Sequence, residues 1–227
     1  MTLPTPGMDS ITTIYQRFYK NASIPPITLE HVELSSLTAT SVADLVASLS
    51  GTRLGVAASY GEKCVLVALA FSSESRILLI TIDNTSKSTK VQKRILRDGL
   101  LCNTFLEKHG FFIERLAAAL FLDLGLRIRQ AFDIPSGGDT RGSMAAYKAI
   151  LGRARAQDAL DGSTVKFIFT EQAFILSRKG EFSLRAWACH VAVQGGPDKR
   201  GPIDTLVKDT KARSIESQVW FLPDRSD

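Results

Sequence analysis

Three β-rich runs at hairpin spacing, Arg53 to Ser59, Cys64 to Phe71 and Arg76 to Ile82, constrain this chain more than any other feature. Their connections, Tyr60-Gly61-Glu62 and Ser72-Ser73-Glu74-Ser75, have the length and composition of hairpin turns. An antiparallel three-strand meander follows. After Asn84 the period changes. A helix from about Ser88 to Asp98 is expected, then a strand near Leu100 to Phe105, a helix from Phe111 to Leu122 closed by Gly125, and an alternating strand at Leu126-Arg127-Ile128-Arg129. Strands alternating with helices imply crossovers that add parallel strands to the meander. The expected architecture is α/β: a mixed sheet of about five strands, the meander plus parallel strands, flanked by helices.

On either side of this core the readings are simpler. Asp9 to Asn21 has helical spacing and stops at Ile24-Pro25-Pro26; Ile27 to Leu34 reads as an extended entry segment; Ser41 is the expected cap of a helix running to Leu49 and stopped by Gly51. Beyond the break at Pro135-Ser136-Gly137-Gly138-Asp139, helices are expected from Thr140 to Leu151, Val165 to Ser177 and Phe182 to Gln194, the last two parted by Arg178-Lys179-Gly180. These boundaries divide the chain into an N-terminal helical extension (1–51), a core domain (52–195) and a polar C-terminal tail (196–227).

A length of 227 residues suits one well-buried α/β core, against a prior of roughly 100–200 residues per domain. The longest apolar run, Leu116 to Leu122, falls far short of a membrane span, and MTLPTPGMDS lacks the regions of a signal peptide. No membrane partner is expected, and an intracellular location, nuclear or cytoplasmic, is. Cys64, Cys102 and Cys189 are odd in number and set among apolar neighbours, which predicts reduced thiols in the core. No Cys-x-x-Cys exists to hold zinc, and no cofactor motif is present. The net charge of +5 is compatible with nucleic acid without requiring it.

The stretch from Lys108 to Asp133, KHGFFIERLAAALFLDLGLRIRQAFD, resembles the second half of the ribonuclease D, or DEDD, type of 3′-5′ exonuclease domain, within the ribonuclease H-like fold. The likeness spans about Thr52 to Gln194 and rests on element order and short apolar matches. It implies two divalent metals held by four acidic residues, since two metals at close range need several hard oxygen ligands to activate water. The matching positions here lack carboxylates. On the strand Leu54 to Ser59, Ala57 and Ser59 stand where the family has Asp-x-Glu; Phe112 takes the acidic position of the next motif; in Arg185-Ala186-Trp187-Ala188-Cys189-His190, Cys189 takes that of the last. Asp133 matches the family's Phe-Asp-Thr turn and is not a metal ligand there. No catalytic and no metal-binding residue is therefore expected.

Other candidates are weaker. Glu62, Asp83, Asp123 and Asp133 would have to assemble a relocated metal site, whereas loop and helix-end carboxylates are usually solvated or capping. Cys189 and His190 diverge by roughly 100° on a helix, too far for a nucleophile and base. Gly137 to Ser143 precedes a helix as a phosphate cradle would, but has no Walker lysine. The positive signal is electrostatic: Lys90, Lys93, Arg94 and Arg97 recur at helical offsets of three and four, with Val91, Ile95 and Leu96 free to face the sheet. Arg127 and Arg129 alternate on the expected fifth strand. The functional expectation is a catalytically inactive, exonuclease-like protein that binds RNA or single-stranded DNA through that stripe. An active exonuclease with a rearranged acidic site and a scaffold with protein partners are the alternatives.

Overall fold

A computed structural model describes residues 8–10, 27–83, 90–134, 168–169 and 174–193. Its centre is the expected meander. β3 (Arg53–Tyr60) pairs antiparallel with β4 (Leu66–Ser72), and β4 with β5 (Arg76–Thr81). β6 (Glu107–Gly110) then pairs parallel with β3, and β7 (Ala131–Asp133) parallel with β6. A meander extended by parallel strands on the side of its first strand is the ribonuclease H-like arrangement.

The sheet has seven strands where about five are expected. The extra two come from residues 1–51: β2 (Thr28–Glu33) pairs parallel with β5, and β1 (Met8–Ser10) antiparallel with β2, giving the order β1-β2-β5-β4-β3-β6-β7. Over its described residues the N-terminal region thus adds two strands to the sheet as well as the helix that follows them. Asp9 and Ser10 lie in β1, and the remainder of the helix expected from Asp9 to Asn21 lies outside the described residues. α1 (Ala39–Ala47) is capped by Thr38, whose Oγ1 accepts from the Ser41 amide, so the cap falls three residues before the one expected. Arg76 ties strand and helix together through Glu30 at 2.7 Å and Asp44 at 3.2 Å.

The third and fourth connections shift two strands from their expected places. α2 (Lys90–Leu96) continues into a π-helical turn, Arg97–Leu101, because Leu96, Leu100 and Leu101 all belong to the core; the strand therefore starts at Glu107, not near Leu100. Leu126 to Arg129 alternates buried and exposed as a strand would, yet its Arg129 amide bonds the Leu101 carbonyl at 2.9 Å and forms no ladder. The paired strand comes just after it, at β7. Between them α3 (Ile113–Leu124) begins at Phe112, which is left-handed at φ 59°, and ends on left-handed Gly125.

Strand alternation divides the core into two layers. Leu54, Val56, Phe71, Leu78 and Ile80 face α1, α2 and α3. Ala68, Ala70, Ile77 and Leu79 face α4 (Lys179–Val193), which contributes Phe182, Leu184, Ala186, Trp187 and Ala188. α4 includes Lys179 and Gly180, which are expected to separate helices; before it, Ile175 is extended and Leu176–Arg178 forms a 3-10 turn, so no helix reaches Ser177. The helix expected over Thr140 to Leu151 and the glycine-rich 137–143 stretch lie outside the described residues. Of the cysteines only Cys189 is buried; Cys64 is exposed at φ 60° in a turn, and Cys102 is intermediate.

Candidate functional site

Of the positions that the resemblance matches to metal ligands, Ala57 and Ser59 lie on β3 and Cys189 on α4, which packs across it, and there the chain is packed tightly. A Cβ at Gly55 would stand 2.0 Å from the Ala186 carbonyl oxygen and 2.6 Å from the His190 amide nitrogen. Backbone atoms cannot yield as flexible side chains do, so only glycine admits the helix at this depth. Gly55, Ala57 and Ser59 share this face by alternation, and Ala57 and Ser59 pair with Ala70 and Ala68 of the same apolar layer. A strand of Gly, Ala and Ser under a helix offering Ala186 and Ala188 is a small-residue seat.

Cys189 and Phe112 do not meet there as a pair. Cys189 is buried with Ile134 and beside Phe111, and burial pushes its thiol well above the usual cysteine range. The Phe112 ring is half exposed at the start of α3. His190 lies over Gly55 while Cys189 turns toward Ile134, the divergence expected of helix neighbours. Divalent metals do not fit this set, because Ala57, Ser59, Phe112 and Cys189 carry no carboxylate.

Asp133, at the end of β7, caps α3 by accepting from the Ile113 amide at 3.2 Å. Burial raises its carboxyl above the ordinary value, opposed by the Ile113 and Phe112 amides and reinforced by Glu114. Glu114 was missed from sequence; an acid in the first turn of a helix is the signal that could have flagged it. The other acids considered are dispersed: Asp123 accepts from the Leu66 amide at 2.7 Å, and Glu62 sits in the turn after β3. Among the described residues no group of three or more His, Cys, Asp or Glu side chains could hold a metal ion.

The basic stripe is only partly as expected. Lys90, Arg94 and Arg97 face solvent, but Lys93 turns inward and donates to the Leu124 carbonyl at 3.1 Å, closing the C-terminus of α3. Val91, expected to face the sheet, is exposed, and the sheet side is taken by Leu96. Asp98 pairs with Arg97 at 2.7 Å and stands 3.9 Å from Arg94, which reduces the positive field. Exposed Arg127 and Arg129 adjoin the same region: the Arg127 carbonyl accepts from the Cys102 thiol, and the Arg129 amide bonds Leu101. The stripe meets the end of α3 while Asp133 caps its beginning, and 12 residues of helix span about 18 Å. The basic face and Asp133 therefore lie at opposite ends of α3.

No protein-family model and no curated protein matches the sequence. Solved structures of similar fold include Brucella melitensis NrnC bound to pGG, 11% identical over 73% of this chain and 78% of that one, TM-score 0.48. The Aedes aegypti Nibbler EXO domain is 10% identical over 72% and 84%, TM-score 0.48. Trypanosoma brucei RNase D in its GMP complex is 12% identical over 75% of this chain and 58% of that one, TM-score 0.45. The strand order, rather than these distant likenesses, defines the chain as a ribonuclease H-like α/β protein.

Proposed function

We propose that this protein is a ribonuclease H-like domain without hydrolytic activity that binds nucleic acid, RNA or single-stranded DNA, through the face formed by Lys90, Arg94 and Arg97. The observation that carries the non-catalytic reading is the residue set itself: Ala57, Ser59, Phe112 and Cys189 offer no carboxylate where the resemblance calls for hard oxygen ligands to two metals. Binding without hydrolysis then falls to the basic face, whose cations suit backbone phosphates.

The test is binding of labelled single-stranded oligonucleotides across salt concentrations, parent against a variant with Lys90, Arg94 and Arg97 all changed to Gln. If each holds one phosphate, the slope of log affinity against log salt is about −2, and the variant loses most of it. Unchanged affinity and slope would exclude this face as the binding surface. Absence of binding by the parent at low salt would favour the protein-partner alternative, and metal-dependent release of nucleotides would favour an exonuclease with a rearranged site.

A further inference from the structure

The loop between the π-helical turn and β6 presents one large aromatic side chain directly to water: Phe105 is 82% exposed. The loop that carries it is braced. Asn103 holds the loop at both ends, its Oδ1 accepting from the Phe105 amide at 3.0 Å and its Nδ2 donating to the Gly99 carbonyl at 3.3 Å. Beneath it the fully buried Lys108 donates from Nζ to the Asn103 and Leu106 carbonyls, both at 2.7 Å. Its aliphatic stem lies on the strand face that carries Leu54 and Ala131, so the ammonium reaches out of the core to fix the carbonyls on either side of Phe105. Sequence reading overlooked Lys108, which the strand's alternation places inward.

Exposed Arg127 and Arg129, and Arg97 with its Asp98 partner, lie on backbone segments joined to this loop. The Cys102 amide bonds the Arg97 carbonyl, the Cys102 thiol bonds the Arg127 carbonyl, and the Arg129 amide bonds the Leu101 carbonyl, so all three approach the loop through adjacent backbone. A rigid aromatic face beside several guanidinium groups has the chemistry of a single-strand site: the ring stacks an unpaired base while the arginines take the flanking phosphates. A duplex, whose bases are already stacked on one another, gains nothing from the ring. We infer that Phe105 is a base-stacking platform, and that the basic face selects single-stranded over double-stranded nucleic acid through it. This rests on the nucleic-acid reading above and adds to it the strandedness of the ligand and the residue that senses it.

The experiment compares the parent with Phe105→Ala and Phe105→Trp, and with Arg127→Gln/Arg129→Gln, on a short mixed-sequence single strand, as RNA and as DNA, and on the matching DNA duplex. The parent should prefer single strands. Phe105→Ala should lose about tenfold in single-strand affinity and leave duplex affinity unchanged, and Phe105→Trp should retain or improve binding, since the larger ring stacks at least as well. The double arginine variant should lower the salt slope by roughly 0.7 for each phosphate it no longer neutralises. Circular dichroism checks that each variant is folded. Phe105→Ala binding single strands as tightly as the parent would overturn the platform while leaving the nucleic-acid reading standing, as would equal losses on single strand and duplex. A parent that binds none of the probes would overturn both. The RNA and DNA arms distinguish which strand the site accepts.

Discussion

Gly55 shows how much one side chain decides here. A single methyl group would collide with two backbone atoms of α4, so Gly55→Ala should destabilise the protein by about 3 kcal/mol or loosen the helix from β3 altogether, read as a fall in urea midpoint. A variant as stable as the parent would contradict the close seat. His109 gives a second residue-scale prediction. Burial lowers its pKa, outweighing the pull of Glu107, and its ring stacks on Phe132 at 5.2 Å. The folded state then binds fewer protons than the unfolded one below about pH 6.5, so the contribution of His109 is fully present above that pH and is lost as pH falls. Urea unfolding should show a drop in stability from about pH 7.5 to about pH 5 that His109→Phe diminishes; an identical drop in both proteins would refute the assignment. The sequence pointed to Ala57, Ser59 and Cys189 because residue types are visible there. It could not reveal that Lys93 bonds a helix end or that Lys108 props a loop, because both depend on partners brought near by the fold.

At the scale of elements, the meander was legible because its short turns and aliphatic density leave few alternatives, and all three strands fall within a few residues of their expected limits. β6 and β7 were displaced because apolar spacing alone does not separate a buried helical turn from a strand. Leu100 and Leu101 extend α2 as π-helix, and Leu126 and Ile128 alternate without a ladder partner. β2 was legible as extended, but nothing local told that it would pair with β5, a long-range choice set by the sheet edge. The junction of α2 and α3 makes its own prediction. Lys93 supplies a charge and a hydrogen bond to the carbonyl end of α3, so Lys93→Met should cost about 1 kcal/mol by thermal or urea unfolding. The same variant should leave oligonucleotide affinity and its salt slope unchanged, unlike substitution of Arg94 or Arg97. A loss of binding without a loss of stability would return Lys93 to the basic face.

For the whole molecule, two surfaces that a nuclease would unite stand apart. One is the crossing of α4 on β3, seated on glycine and alanine; the other is the basic face at the C-terminal end of α3, a helix about 18 Å long, with Phe105 on the loop that follows α2. The most direct measurement is the time course of fluorescence anisotropy of a single-stranded oligonucleotide labelled at its 5′ end, mixed with the pure protein in Mg²⁺ or Mn²⁺. Binding without hydrolysis predicts a rise on mixing that then holds steady and is reversed only by added salt. A rise followed by a metal-dependent decay below the starting value, as the label is released on shortened fragments, would contradict it.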